Sequence, residues 1–445
     1  MNILFVSLGC DKNLVDSEVM LSLLKTHGYN ITNEEKEADV AVVNTCCFIH
    51  DAKEESITTI LELAELKKTA RLKALIVTGC LAQRYQAEIQ AEIPEVDAIM
   101  GSTNIDDIVT VVQQATAGKH LICCKDVEYL PTNLTDRVVT TGNAMAYLKI
   151  AEGCNKRCTY CIIPYLRGNY RSIPMDEVLM TAKKLADAGY KELVLVAQET
   201  TVYGQDLYGG KKLPELLNRL SELEGIQWIR LLYCYPEEIT DELIRTMAEN
   251  PKVCHYIDMP IQHSEDAILR AMGRRTNQAQ IRDVVSRLRK AMPDITIRTT
   301  LITGFPGETK EQHDALMQFV DEMEFERLGV FTYSPEEGTR AADMPDQIDE
   351  DVKKQWQEEI MALQQEVSYD NNQKMIGKVL QVLIEGYLYQ DDVYMGRSYR
   401  EAPNVDGYIF VSAEEEIVSG EMVTVRITDA NEYDLIGEVV YEFTE

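Results

Sequence analysis

The run Glu152-Gly153-Cys154-Asn155-Lys156-Arg157-Cys158-Thr159-Tyr160-Cys161 sets three cysteines at C-x3-C-x2-C spacing. Three thiolates this close can wrap one [4Fe–4S] cube, and clusters held by cysteine usually take four protein ligands. A trio therefore leaves one iron open to a substrate or cofactor. A structural zinc ion is the alternative, but zinc sites favour four Cys/His ligands, often as paired C-x2-C units. No fourth Cys or His is near; the closest downstream histidine is His255.

A second trio has a different logic. Asn2–Leu8, Ala38–Asn44 and Ala74–Thr78 read as strands, with helical patterns near 14–26, 50–68 and 82–91. This alternation predicts an open parallel α/β domain over residues 1–116. Cys10, Cys46 and Cys80 each follow one of these strands, separated by 36 and 34 residues, one βα unit apiece. Ligands of open α/β sheets sit outside the carboxyl ends of the strands, so three thiolates can be aimed at one spot. The alternative is three ordinary buried cysteines. No G-x-G-x-x-G follows the first strand, so a dinucleotide site is not supported. Alternation of side chains along a strand makes Cys46 the ligand and Cys47 a packing residue. Cys123, Cys124, Cys234 and Cys254 read as structural.

The elements that must position the first trio lie in a central segment, residues 144–370. Tyr147–Ala151, Glu192–Ala197, Trp228–Tyr233, Tyr256–Met259, Thr296–Ile302 and Leu328–Tyr333 read as strands separated by helical patterns such as Met175–Ala188 and Thr309–Met323. Six strand–helix repeats predict a partial (β/α)6 barrel, whose working residues lie at the C-terminal ends of the strands. Gln198, Glu199, Gln262 and His263 fall at such ends, with hydrogen bonding within the protein as the alternative, and Gly304 and Gly307 fit a tight turn near a ligand, with a plain loop turn as the alternative. Arg167 and Arg171 are placed to meet a carboxylate, unless they are merely solvated. An irregular connector, residues 117–143, is punctuated by Gly118, Pro131, Asn133 and Gly142. Residues 374–445 alternate polar and apolar positions, as in Val379–Ile384, Gly407–Val411 and Met422–Thr428, and predict a small antiparallel β-barrel.

Bulk properties narrow the setting. The 445 residues carry eleven cysteines, none beyond residue 254. Clustered cysteines in a reducing compartment suggest metal or catalysis. The opening MNILFVSLGC is short and lacks a basic start, and no run approaches the ~20 apolar residues of a membrane span. A cytoplasmic protein without membrane attachment is expected, with a monomer as the default. The net charge is −30, which disfavours attraction to phosphate backbones and favours a basic partner, though acidity also serves solubility.

The C-x3-C-x2-C spacing with Tyr160 before its last cysteine resembles the signature of the radical S-adenosylmethionine (SAM) superfamily. Cys161-Ile162-Ile163-Pro164 with Arg167-Gly168 resembles its methylthiotransferase branch. So do Ser7-Leu8-Gly9-Cys10-Asp11-Lys12-Asn13, Asn44-Thr45-Cys46, Thr78-Gly79-Cys80 and Thr303-Gly304-Phe305-Pro306-Gly307-Glu308-Thr309. The likeness runs over nearly the whole chain. It implies two [4Fe–4S] clusters. Cys154, Cys158 and Cys161 would hold the one whose open iron binds SAM for reductive cleavage and hydrogen abstraction. Cys10, Cys46 and Cys80 would hold an auxiliary cluster that carries the sulfur, methylated by a second SAM. Gln198, Glu199, Gln262, His263 and Gly304 would touch SAM or substrate. An electron donor and a sulfur source are implied as partners. Asp11 stands where the family pattern more often has a small residue or proline.

Members of this family modify either an adenosine of transfer RNA or a protein of the small ribosomal subunit. The C-terminal barrel resembles the TRAM domain, a substrate-recognition module. From Lys374 to Glu445 there are five Lys/Arg against fifteen Asp/Glu, a net of −10. Such a surface repels RNA and steers in a basic protein. The opening Ser-Leu-Gly-Cys-x-Lys-Asn phrase also looks more like the ribosomal-protein branch, whose target is the β-carbon of one aspartate in the twelfth small-subunit protein. Two other readings remain: a transfer-RNA methylthiotransferase, and a non-enzymatic iron–sulfur or zinc protein.

Overall fold

A computed structural model describes residues 1–130, 136–142 and 144–441. Pro131 and Asn133 of the expected connector lie outside the described residues, as do residues 143 and 442–445 at expected domain ends. The chain forms two compact units, each built from several stretches. The first comprises Met1–Thr140, Lys149–Thr181 and Ser334–Ala342; the second comprises Thr141–Leu148, Ala182–Tyr333 and Asp343–Glu445.

In the first unit, six strands make one sheet in the spatial order Asn30–Thr32, Asn2–Ser7, Val40–Thr45, Ala74–Gly79, Ala98–Met100, Leu121–Cys123, all parallel. Val40–Thr45 and Ala74–Gly79 are buried along their whole length. That is why they read as continuous apolar runs rather than alternating ones: helices cover both faces of a parallel sheet. The chain steps from Asn2–Ser7 to one side, then returns to add Val40–Thr45 on the other. Such a reversal opens a crevice at the strands' carboxyl ends. Leu121–Cys123 is the sixth strand, so the expected connector is not irregular throughout. Three residues are too few for a period-2 pattern to register.

In the second unit, Met145–Lys149, Glu192–Val196, Trp228–Leu231, Val253–Asp258, Thr296–Thr303 and Arg327–Thr332 lie side by side in chain order in one open sheet. Pairings from Glu192–Val196 onward are parallel. A sheet that never reverses, joined by right-handed crossovers, keeps its helices on one face and winds as part of a barrel. The long helix Glu350–Gln373 leads into a closed five-stranded barrel, Val379–Leu388, Val393–Arg397, Ile409–Ser412, Leu435–Val439 and Met422–Ala430 in spatial order. Its pairings are antiparallel except for Ile409–Ser412 beside Leu435–Val439, which run parallel.

This barrel is locked to the central sheet by buried charge. Glu192, Arg230 and Arg397 have side chains 0% exposed. Arg230 Nε donates to Glu192 Oε1 at 2.6 Å, and Arg397 donates to Glu192 Oε2 at 2.7 Å and to Glu385. Tyr256 donates to Asp406 at 2.7 Å, and Arg327 pairs with Glu401 at 3.2 Å. Glu192 and Arg327 open their strands, so the C-terminal barrel binds at the amino ends. In barrels of this kind the opposite ends carry the chemistry. Burial raises the Glu192 carboxyl, but Arg230 and Arg397 outweigh it and hold the pKa below its ordinary 4.5. Glu192 therefore contributes stability above pH 4.5 that fades as pH falls through the depressed value. Glu192→Gln, which leaves two buried guanidiniums short of their counter-charge, is expected to cost about 3–5 kcal/mol at pH 7 by urea unfolding. The gap between variant and wild type should narrow below pH 4.5.

Candidate functional site

Cys10, Cys46 and Cys80 sit at the crevice of the first sheet. Cys10 caps the helix Asp11–Thr26, Cys46 ends the strand Val40–Thr45, and Cys80 begins the short helix Cys80–Arg84. Gly9 lies so close to Cys46 that a Cβ on it would stand 2.7 Å from Cys46 Cβ and 3.1 Å from its Sγ. Cys46 is fixed by Ser56, whose hydroxyl accepts from its amide at 3.0 Å and donates to its carbonyl at 2.9 Å. Burial, then the neighbouring Cys80 and Cys10 thiolates, push the Cys46 thiol up to about 12. Cys80 is also raised, first by burial, with Arg167 opposing and Cys10 adding. Burial and neighbouring cysteines bear on both Cys46 and Cys80, and a cationic iron centre would relieve that cost by taking the thiolate forms. Cys47 packs in the apolar core with Ile60, Leu81 and Ile162, while Cys46 turns toward Gly9.

The C-x3-C-x2-C loop belongs to the same compact unit. A two-stranded antiparallel ladder, Ala151–Glu152 with Arg171–Ser172, closes its base. Cys154 and Cys158 are buried and Cys161 partly so. The Cys154 amide donates to Gly168 O at 3.2 Å and the Cys161 amide to Cys158 O at 3.1 Å. Among the described residues no three His, Cys, Asp or Glu side chains converge as ligands of one metal ion. A four-iron cube takes each thiolate on a separate iron, so its ligands need not converge so closely.

Beside Cys80, and joined through Glu152 to the ladder at the base of the C-x3-C-x2-C loop, lies a ring of four buried ions. Lys149 meets Asp16 at 2.6 Å and Glu152 at 2.5 Å; Arg167 meets Asp16 at 2.7 Å and Glu152 at 3.3 Å. All four side chains are at most 3% exposed. Burial would pull Lys149 and Arg167 down, but their counter-charges outweigh it and hold both above their ordinary values. Asn13 completes the ring. Its carboxamide oxygen accepts from Arg167, and its nitrogen donates to Leu8 O at 3.1 Å and Thr45 O at 3.0 Å. One side chain thus ties the ends of two cysteine-bearing strands to the helix Ile163–Arg167 that follows the loop. The sequence reading missed Asn13, Asp16, Lys149 and Glu152. The available signal was a lysine inside the apolar run Met145–Ala151, since a buried charge demands a partner.

Arg167 meets carboxylates at full burial, and Arg171 pairs with Glu128 at 3.0 Å. Asp11 pairs with Lys12 at 3.0 Å. In the second unit, Glu199 is buried and accepts from Thr201 at 2.8 Å, with Gln198 half-buried beside it. Gln262 has a left-handed φ of +71° and bridges to the strand Thr296–Thr303. His263 is fully buried. Its Nδ1 accepts from the Glu265 amide at 3.0 Å, so Nε2 carries the proton and donates to Glu308 at 3.2 Å. Glu308 in turn accepts from the Gly304 and Phe305 amides at 2.6 and 3.1 Å. Gly304, at φ +72°, makes the turn possible. His263 and Glu308 therefore hold the turn at the end of Thr296–Thr303. Gly307 also has positive φ, with open space around it. Cys234 and Cys254 are pushed up to about 12, chiefly by burial, in keeping with inert core thiols.

Comparison with known proteins meets this geometry. Residues 2–101 match Uncharacterized protein family UPF0004, residues 148–320 the radical SAM superfamily, and residues 376–440 the TRAM domain. A ribosomal protein uS12 methylthiotransferase RimO of Lachnoclostridium phytofermentans is 59% identical over 98% of this chain and 99% of its own length. The protein of the same name from Clostridioides difficile is 48% identical over 98% of each. The chain belongs to the RimO family of radical SAM methylthiotransferases. Among solved structures, the radical SAM methyltransferase TsrM of Kitasatospora setae, with cobalamin and a [4Fe-4S] cluster bound, aligns at TM-score 0.53 and 13% identity over 76% of each chain, a likeness of fold alone. Within the RimO-family chain, no described helix is long and apolar enough to cross a membrane. The Asn13 tie makes a stability prediction: Asn13→Ala strips partners from two carbonyls and a guanidinium nitrogen, and is expected to cost about 2–4 kcal/mol in chemical unfolding.

Proposed function

We propose that this chain methylthiolates ribosomal protein uS12, at the β-carbon of an aspartate. The observation that carries the reading is the presence of both cysteine trios in one compact unit, in a chain of the RimO family. Cys154, Cys158 and Cys161 would hold a [4Fe–4S] cluster with one open iron; SAM there supplies one-electron abstraction of hydrogen from the target carbon. Cys10, Cys46 and Cys80 would hold a second cluster, which would supply the sulfur, with a second SAM as the methyl donor and methyl-free S-adenosylhomocysteine as its by-product. The donor set fits: three cysteines at the carboxyl-end crevice of one sheet, and three more on a closed loop.

The chain's own residues do the rest. Arg167 keeps a fixed positive charge beside Cys80 and Cys46 and favours their thiolate forms. Asn13 and the ion ring keep the two cysteine segments in register. Gln198, Glu199, Gln262 and Gly304 stand at carboxyl ends of strands of the central sheet, where SAM or substrate contacts belong, and His263 positions the Gly304 turn through Glu308. The acidic C-terminal barrel steers a basic protein in and turns RNA away. The reaction needs an electron donor and a sulfur source; a ribosomal substrate fits a cytoplasmic enzyme, and we read the enzyme as a monomer.

The test uses anaerobically reconstituted enzyme with dithionite, sulfide and SAM, given uS12 in one reaction and unmodified transfer RNA in another. A gain of about 46 Da on an aspartate of uS12, with 5′-deoxyadenosine formed alongside, is the expected result. Cys158→Ala should abolish both products, and Cys46→Ala should abolish the methylthiolated protein. Modified RNA in place of modified protein would overturn the substrate, and absence of 5′-deoxyadenosine from fully loaded enzyme would overturn the chemistry.

A further inference from the structure

Residues Ser334–Ala342 lie more than 150 positions after the other stretches of the first unit, yet they are part of it. They touch two cysteine-bearing pieces and the helix whose Ser56 holds Cys46. Glu336, 4% exposed, accepts from Arg84 Nη1 at 3.0 Å and from Lys53 Nζ at 3.5 Å. Arg84 ends the helix that Cys80 begins; Lys53 lies one turn before Ser56, the residue that brackets Cys46. Arg84 also donates to Glu337 O, and Tyr85 to the Glu337 carboxylate at 3.4 Å. At the other end, the Ala341 amide donates to Thr159 O at 2.9 Å and Arg340 to Arg157 O at 3.1 Å, on either side of Cys158. Thr339 Oγ1 donates to Glu336 O at 2.7 Å and holds the segment in a turn between these ends. A carboxylate this buried is tolerated because two cations from different helices reach it, an arrangement that specifies geometry more than it adds stability.

We propose that residues 334–342 are a strap that sets the relation between the two cysteine trios, with Glu336 as its positioning residue. The proposal rests on the two-cluster reading above. The strap makes sulfur delivery depend on SAM cleavage occurring at the right place, so loosening it separates the two events.

Two readouts test this. In the metal-free chain, Glu336→Gln should speed amide hydrogen exchange several-fold in peptides covering 80–84 and 157–161 as well as in the strap. In reconstituted enzyme, methylthiolated protein formed per 5′-deoxyadenosine should fall about tenfold or more, as misplacement near 1 Å does elsewhere, and Glu336→Asp should recover part of the ratio. Faster exchange confined to 334–342, or an unchanged product ratio, would overturn the strap. Should Glu336→Gln not fold, Arg340→Ala, an exposed side chain, carries the same test: a lower ratio supports the strap and an unchanged ratio overturns it. Wild type lacking both products would defeat the functional reading instead, and exchange alone would then judge the strap.

Discussion

Each anion in the ring of Asp16, Lys149, Glu152 and Arg167 touches both cations, and the first unit depends on that closure. Taking four ions out of water costs several kcal/mol apiece, and their mutual attraction only offsets the cost when every partner is in place. Such a ring adds little net stability, but it punishes any other arrangement. Rotating the helix Asp11–Thr26 by one residue would swing Asp16 out by about 100° and leave Lys149 and Arg167 buried with half their counter-charge. Asn13 sits on the same helix and carries that constraint to the strand ends that present Cys10 and Cys46.

The second unit uses the same device for another purpose. Glu192 between Arg230 and Arg397 fixes the C-terminal barrel to the amino ends of the central strands. Fixing the accessory barrel there keeps the carboxyl ends clear, where loops can vary without disturbing the docked module. Both units thus use buried, fully paired charge for placement and leave ordinary apolar packing to supply stability.

Much of this was legible in the residues. Strands rich in β-branched residues, such as Val40–Thr45 and Thr296–Thr303, announce themselves, and the capping box of Thr309 with Gln312 marks the start of the helix Lys310–Met323. The C-terminal barrel was legible through its alternation, though not its one parallel pairing, because strand direction leaves no trace in a period of two. The cysteines were legible as candidates by spacing and by position after strands. What the sequence hid was long-range: Asn13 with Thr45, Asp16 with Lys149, and Glu336 with Arg84 lie 32 to 252 residues apart. Local pattern carries no information about such partners. His263 follows a barrel strand, a place that suggests chemistry, and both its ring nitrogens bond within the fold, to the Glu265 amide and to Glu308.

The discontinuity of the first unit bears on how the chain is made. Its sheet is complete once residue 123 has been synthesised, but Lys149, Glu152 and Arg167 of the ring come later, and Ser334–Ala342 later still. At ordinary elongation rates of about 5–20 residues per second the nascent sheet waits on the order of 10 s or more for its last segment. Asp16 gains its cations only when residues 149 and 167 have followed, and Arg84 and Lys53 wait longer still for Glu336. Completion of the first unit is therefore tied to the arrival of residues 334–342 rather than to the closing of its sheet.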